Sequence, residues 1–206
     1  MKTLIAIPSM DTVPVRFCQS LAMLQKEGEC AVGFQIGSLV YMARENLAKS
    51  AIEMGADYIF WLDSDMVFNP DVLKRMLANR EKGDIISGLY FRRVSPYSPV
   101  LYDKLDLTEN GATWSEFDEL PEEIFECGGV GFGCVLMPTQ ICIDVMNEYH
   151  TMFTPVAGMG EDLSFCWRAR QLGYKIVCDP SISLGHVGSY VITEQFFDVF
   201  NKARKG

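Results

Sequence analysis

Five consecutive apolar residues, Tyr58-Ile59-Phe60-Trp61-Leu62, end abruptly at Asp63-Ser64-Asp65, with Met66-Val67 following. The run leaves no polar face for water, so it has to be covered on both sides. That is the situation of a central strand between two layers of helices. Gly55-Ala56-Asp57 before it and Asn69-Pro70 after it punctuate its ends. Acids at the carboxyl end of such a strand sit where open α/β sheets place their ligands.

The residues on either side support that assignment. Thr3-Leu4-Ile5-Ala6-Ile7-Pro8 reads as a first buried strand ending at Pro8-Ser9. Asp11-Thr12 then cap a helix with Pro14 in its first turn and Leu21 and Leu24 inward. Cys30 to Ile36 reads as a second strand, and Leu39, Met42, Ala43, Leu47, Ala48, Ala51 and Ile52 mark a long helix that stops at Gly55. Beyond the central run, Asn69-Pro70-Asp71 open a helix with Val72, Leu73, Met76 and Leu77 inward. A strand over Asp84 to Tyr90 follows. Strand and helix alternate throughout, which predicts an α/β domain with a mostly parallel sheet and helices on both faces.

The alternation breaks between Arg92 and Glu126, where Pro96, Pro99 and Pro121 interrupt the pattern. Short strands or a surface hairpin are expected there. Its acids, Glu116, Asp118, Glu119, Glu122, Glu123 and Glu126, read as a solvated flap, with a dedicated cation site as the alternative. Gly128-Gly129-Val130-Gly131-Phe132-Gly133 then leads into a buried strand to Met137. Its glycines would let a bound sugar or peptide lie against the backbone. Pro138-Thr139 open a helix over 139–148, and Glu161-Asp162 begin another with Leu163, Cys166, Trp167 and Leu172 inward and Gly173 as its stop. Two short strands, 175–178 and 182–184, precede Gly185-His186, and a last helix is expected over 193–205.

Composition narrows the function. The 206 residues are 49% hydrophobic, enough for a full core, and carry a formal charge of −9. The basic clusters are short, Arg92-Arg93 and Lys202-Ala203-Arg204-Lys205, so nucleic acid is not an expected partner. An anionic ligand would need a cation or a local group to offset repulsion. The seven cysteines, at 18, 30, 127, 134, 142, 166 and 178, contain no C-x-x-C pair and lie in apolar segments. They read as core residues of a reduced compartment, and no stretch has the roughly 20 apolar residues of a membrane span. The expectation is a soluble, cytoplasmic protein with no transmembrane segment.

Side chains i and i+2 of a strand share a face, so Asp63 and Asp65 can reach one ligand if the extended conformation persists. Two hard oxygen donors suit Mg²⁺ or Mn²⁺, ions that bridge to phosphate oxygens. The ordinary explanation is a turn in which Asp65 and Asn69 serve the next helix. His186, between two glycines at a strand end, is a candidate third metal ligand whose imidazole favours Mn²⁺ over Mg²⁺. Glu161 and Asp162, at a helix N-terminus behind Gly158-Met159-Gly160, are explained by the helix dipole for one of them. The functional alternative is a general base, with a pKa lowered by the dipole so that it is ionised. Arg44 could counter a phosphate, although a solvated position on its helix is the default. Neither G-x-G-x-x-G nor a Walker sequence is present.

Together, the strand ending in Asp63-Ser64-Asp65, the Gly-rich strand at 128–137, Gly160-Glu161-Asp162 leading a helix, and the late Gly185-His186 resemble the GT-A nucleotide-sugar glycosyltransferases, in particular small family-2-like bacterial and phage members. The resemblance spans Leu4 to Gly188. It implies a GT-A, Rossmann-like sheet with a small hairpin elaboration, in a single domain over 1–206. Residues 1–91 would form the nucleotide-binding half and 92–206 the acceptor-side half. It also implies a metal-dependent, inverting transferase using Mn²⁺ or Mg²⁺ and a nucleoside-diphosphate sugar, with a glycan, lipid or protein as acceptor.

By the same resemblance, Pro8 and Ser9 line the base pocket. Asp63 lies near the ribose and metal-bound water, Ser64 stands between the acids, and Asp65 and His186 ligate the metal. Asp162 is the base, with Glu161 as the competing assignment. The Asp-Asp-x-Ser stretch that often grips uridine is replaced by Gln35-Ile36-Gly37-Ser38, which leaves the base identity open.

Two rival functions fit parts of the pattern. Asp63-Ser64-Asp65-Met66-Val67 also fits the motif of haloacid-dehalogenase-like phosphatases, with Asp63 as nucleophile and Ser87 as a phosphate-binding hydroxyl. That motif normally follows the first strand, and here two strands precede it. A non-catalytic glycan- or nucleotide-binding module on the same fold is the second rival.

Overall fold

A computed structural model describes residues 1–188, and the helix expected over 193–205 lies outside the described residues. The first half of the chain contains β1 (Lys2–Ser9), α1 (Val15–Met23), β2 (Glu29–Ile36), α2 (Val40–Glu53), β3 (Tyr58–Leu62), β4 (Met66–Val67), α3 (Val72–Ala78) and β5 (Ile85–Leu89). Next come β6 (Leu101–Tyr102), β7 (Lys104–Thr108), β8 (Gly111–Ser115), β9 (Phe125–Glu126) and β10 (Gly129–Val130). The chain continues with β11 (Cys134–Pro138), α4 (Thr139–Tyr149), α5 (Glu161–Gln171), β12 (Ile176–Ser183) and β13 (Gly185–His186).

A seven-stranded sheet in the order β2-β1-β3-β11-β5-β12-β9 forms the frame. β1 pairs in parallel with both β2 and β3, and β5 pairs in parallel with β12. The central run is indeed interior: β3 lies between β1 and β11, and Ile59, Phe60, Trp61 and Leu62 have no exposed surface. Burying each of these side chains stabilises the fold by roughly 1.5–3 kcal/mol.

Strand alternation sends these residues to two cores. Leu4, Ala6, Ile59, Trp61, Val135 and Met137 pack with α2, α4 and α5. Ile5, Ile7, Phe60, Leu62, Cys134 and Leu136 pack with α1 and α3. Small residues let α2 approach the sheet closely, because Ala43, Ala48 and Ala51 are all buried. The seven cysteines are unpaired thiols, five of them buried. Among the described residues no helix is long and apolar enough to cross a membrane.

Several local expectations are corrected. β11, whose direction the sequence left open, runs antiparallel between β3 and β5. No helix intervenes between β5 and β11, so the chain stays at the end of the sheet where β5 finished and re-enters from there. The two strands expected over 175–184 are one strand, β12, whose register against β5 shifts between Asp179 and Ser183. Pro14, in extended backbone, precedes α1, and no side chain caps that helix. Leu172 is exposed at the end of α5. The irregular stretch does contain a hairpin, β7–β8, and its acids Glu116, Asp118, Glu119, Glu122 and Glu123 are exposed.

The glycines at 128–133 serve internal packing instead of ligand approach. A Cβ on Gly131 would lie 2.2 Å from the Tyr90 hydroxyl, and one on Gly133 would lie 2.7 Å from the Tyr90 ring. A Cβ on Gly128 would meet the Asp103 carbonyl at 2.7 Å. Tyr90 is buried, and its hydroxyl accepts a hydrogen bond from the Gly133 N–H at 3.0 Å. Gly131→Ala is therefore expected to lower stability by about 1–3 kcal/mol in urea denaturation. An unchanged midpoint would show that Tyr90 yields without cost.

Candidate functional site

The carboxyl ends of β1 and β3 and the N-termini of α2 and α5 surround a cleft of about 350 Å³. Pro8, Ser9, Arg44, Asp63, Ser64, Asp65, Glu161, Asp162 and His186 all line it, so every candidate residue from the sequence falls in one place. Met10, Ser38, Val40, Ala43 and Arg93 line it as well. Two helix N-termini directed at one cleft supply partial positive charge that suits an anionic ligand.

At the base of the cleft lies Arg44, whose expected place on a solvated helix face is not what is found. Only 2% of its surface is exposed. Its Nη2 donates to Asp63 Oδ1 at 2.8 Å and its Nε donates to Glu161 Oε1 at 3.2 Å. The guanidinium also lies over the rings of Trp61 and Phe132, at 5.7 and 5.5 Å from their centroids. Burial alone would lower its pKa, but the charges of Asp63, Glu161 and Asp162 outweigh burial and raise it, so Arg44 stays protonated. Its Nη1 is buried with no hydrogen-bond partner among the described residues, a cost the two ion pairs and the aromatic faces have to offset.

The two aspartates diverge. β3 stops at Leu62 and Ser64-Asp65 form a turn, so the alternation that would put both carboxylates on one face is lost. Asp63 is held by Arg44. Asp65 meets His186 instead, with His186 Nε2 3.3 Å from its Oδ2, and Arg93 Nη1 reaches the same oxygen at 2.5 Å. Short pairing of β4 with β13, in register His186↔Met66, creates this contact, and the Val187 N–H donates to the Asp65 carbonyl at 2.8 Å. Neither Asp65 nor Asn69 caps the next helix, since α3 has no side-chain cap.

The expected trio Asp63, Asp65 and His186 is thus not assembled, and among the described residues no three His, Cys, Asp or Glu side chains converge as metal ligands. The pair Asp65–His186 nevertheless fits a divalent ion. His186 Nδ1 lies 2.9 Å from the Phe91 carbonyl, and an Nδ1–H donated there leaves Nε2 as the ligating nitrogen beside a carboxylate. Mg²⁺ and Mn²⁺ commonly take one or two protein ligands and complete their shell with water and phosphate oxygens. Burial works to raise the Asp65 pKa, but the hydrogen bond and charge of His186, with Arg93, lower it overall. The same hydrogen bond raises that of His186 against the opposing effect of burial.

Glu161 and Asp162 separate by environment. Glu161 is committed to Arg44 and is 14% exposed. Asp162 makes no ion pair among the described residues; its Oδ1 accepts the Leu163 N–H at 2.8 Å. Gly160 permits this fold-back, since a Cβ there would lie 2.9 Å from that oxygen. The lowered pKa expected from the helix dipole is not found. Burial, reinforced by Glu161, pushes the Asp162 carboxyl up to about 6, against the lowering effects of the Leu163 N–H and Arg44. Burial is the largest cause, and the charges of Glu161 and Asp63 add to it.

Arg93 was not singled out by its pattern. It follows β5 in an irregular segment where no periodicity assigns direction, so its reach to Asp65 depends on the tertiary path.

No family model and no curated protein sequence matches the chain. Solved structures do. The A197 protein from STIV superposes with a TM-score of 0.67 at 21% identity, covering 92% of this chain and 87% of that one. GalNAc-T7, solved with UDP, GalNAc and Mn²⁺, superposes with a TM-score of 0.62 at 10% identity. The fold is GT-A-like. The second alignment covers 100% of this chain and 48% of GalNAc-T7, so the chain spans about half of that protein. At these identities the likeness concerns the fold.

Two outcomes follow for the charged residues. Arg44→Ala leaves Asp63 and Glu161 without their cation and should lower stability by about 3 kcal/mol in chemical denaturation. Adding Glu161→Gln should recover part of that loss, and a neutral Arg44→Ala would show that the pairs contribute nothing. Asp162→Asn mimics the protonated carboxyl that the fold favours. Wild type and variant should match below about pH 4, and the variant should gain about 1–3 kcal/mol as the pH rises through about 6. A pH-independent difference in thermal melts would contradict the raised pKa.

Proposed function

We propose that the cleft transfers a sugar from a nucleoside-diphosphate donor to an acceptor hydroxyl, with a divalent cation and with inversion at the anomeric carbon. One observation carries the reading: Asp162, a carboxylate with no ion pair among the described residues and a pKa pushed up to about 6, lines the same cleft as the Asp65–His186 pair. A base poised near neutral pH and a cation site on a leaving group are the two halves of such a displacement. The GT-A-like fold shared with GalNAc-T7, whose structure holds UDP, GalNAc and Mn²⁺, supports the choice of donor class.

In this reading Asp65 and His186 would hold Mn²⁺ or Mg²⁺, which would supply positive charge for the departing diphosphate. Asp162 accepts the proton of the acceptor hydroxyl. The acceptor oxygen bonds to the anomeric carbon while the bond from that carbon to the diphosphate oxygen breaks, and the electron pair leaves with the nucleoside diphosphate. Pro8, Ser9, Met10, Ser38 and Val40 form the nucleoside side of the cleft, Asp63 faces the ribose, and Ser64 keeps the turn between the acids narrow. Glu161 acts through Arg44 as a positioning residue. Residues 1–91 supply most of the donor side, while Arg93, Asp162 and His186 come from the second half.

Asp63, the nucleophile a phosphatase would require, is tied to a buried guanidinium, which weighs against that rival. A pure binding module would have no use for an unpaired, desolvated carboxylate.

Calorimetry with UDP tests the first half. Binding should require Mn²⁺ and should be lost in Asp65→Asn; equal binding without metal would contradict the cation site. Asp162→Asn should still bind UDP with Mn²⁺ while transfer falls on the order of 10²–10⁴-fold. In the wild type, kcat/KM should climb as the pH rises through about 6, as the base loses its proton. Full activity in Asp162→Asn would remove it from the base role.

A further inference from the structure

We propose that Arg93 is a diphosphate-binding residue that rests on Asp65 and passes to the donor's phosphates when a divalent cation takes Asp65. The inference rests on the transferase reading and adds to it a residue for the leaving group.

The geometry sets up a competition. Asp65 Oδ2 receives Arg93 Nη1 at 2.5 Å and lies 3.3 Å from His186 Nε2. A cation held by Asp65 and His186 comes close to that oxygen, and a guanidinium on the same carboxylate repels it. Arg93 is free to give way. Its side chain is 54% exposed, and the pair is of the solvated kind that contributes little to stability. The backbone from Arg92 to Ser98 is neither helix nor strand. It is held at its base by Arg92 N–H to Ser98 carbonyl and the Phe91–Pro99 bridge, so the side chain can swing while its stem stays at the cleft.

Charge requires a destination. Asp63, Asp65, Glu161 and Asp162 line the cleft, against Arg44 and Arg93 as its permanent cations. Arg44 is enclosed and occupied by two carboxylates, and its remaining nitrogen, Nη1, is buried beyond the reach of a ligand that enters from solvent. Among the described lining residues Arg93 is the one guanidinium or ammonium that a diphosphate can touch. A guanidinium fork matches paired phosphate oxygens better than an ammonium does. Arg93 thus keeps Asp65 paired before the cation arrives and the diphosphate paired afterwards.

The exchange predicts opposite effects of one substitution on two ligands. Arg93→Gln should bind Mn²⁺ alone about 3–10-fold more tightly than the wild type, read by electron paramagnetic resonance, because its competitor is gone. With saturating Mn²⁺ it should bind UDP and inorganic pyrophosphate each about 10-fold more weakly by calorimetry. Arg93→Lys should fall between wild type and Arg93→Gln for both phosphates. Equal affinities in wild type and Arg93→Gln, or a change of both ligands in the same direction, overturns the exchange while leaving the transferase reading intact. Failure of the wild type to bind UDP at saturating Mn²⁺ overturns both.

Discussion

A single buried guanidinium holds the two halves of this molecule in register at the cleft. Arg44 extends from the first turns of α2, and its partners come from the end of β3 and the start of α5, elements separated by nearly one hundred residues of chain. Such a cation is tolerated in the interior only because two carboxylates and two aromatic faces surround it. The arrangement fixes which acids remain for chemistry. Asp63 and Glu161 neutralise Arg44, Asp65 pairs with His186 and the exposed Arg93, and Asp162 has no ion pair among the described residues.

That division explains why four acids in one cleft have such different acidities. Asp65 has cationic neighbours and is held below the ordinary carboxylate range; Asp162 has no ion pair among the described residues, is desolvated, and is pushed up to about 6. A metal site calls for a carboxylate that ionises readily, and a general base calls for one that binds protons near neutrality. Both properties follow from placement, since the two residues are chemically identical.

Sequence pattern alone exposed the sheet's central strand, the two helical layers and the residues of the cleft, because each rests on local periodicity or on an acid placed at an element's end. It did not expose the antiparallel entry of β11, because direction depends on the path taken by residues 92–133, which have no regular period. Arg44 was the more instructive miss. It lies within the stripe Ala43, Leu47, Ala48 and Ala51 that faces the core, so its own helical position pointed inward. An arginine in an apolar stripe signals a buried partner. Asp162 sits likewise in line with Phe165, Cys166 and Ala169, and its desolvation was legible in that spacing, whereas the dipole argument considered only the helix end.

The central claim, that Asp162 and the Asp65–His186 pair act on opposite sides of an anomeric carbon, has a direct stereochemical consequence. Proton NMR on a panel of α-linked UDP-hexoses and UDP-N-acetylhexosamines, with protein, Mn²⁺ and water as the default acceptor, reads the anomeric signal of the first sugar released before mutarotation. The account predicts a β-configured first product; an α-configured one would contradict it.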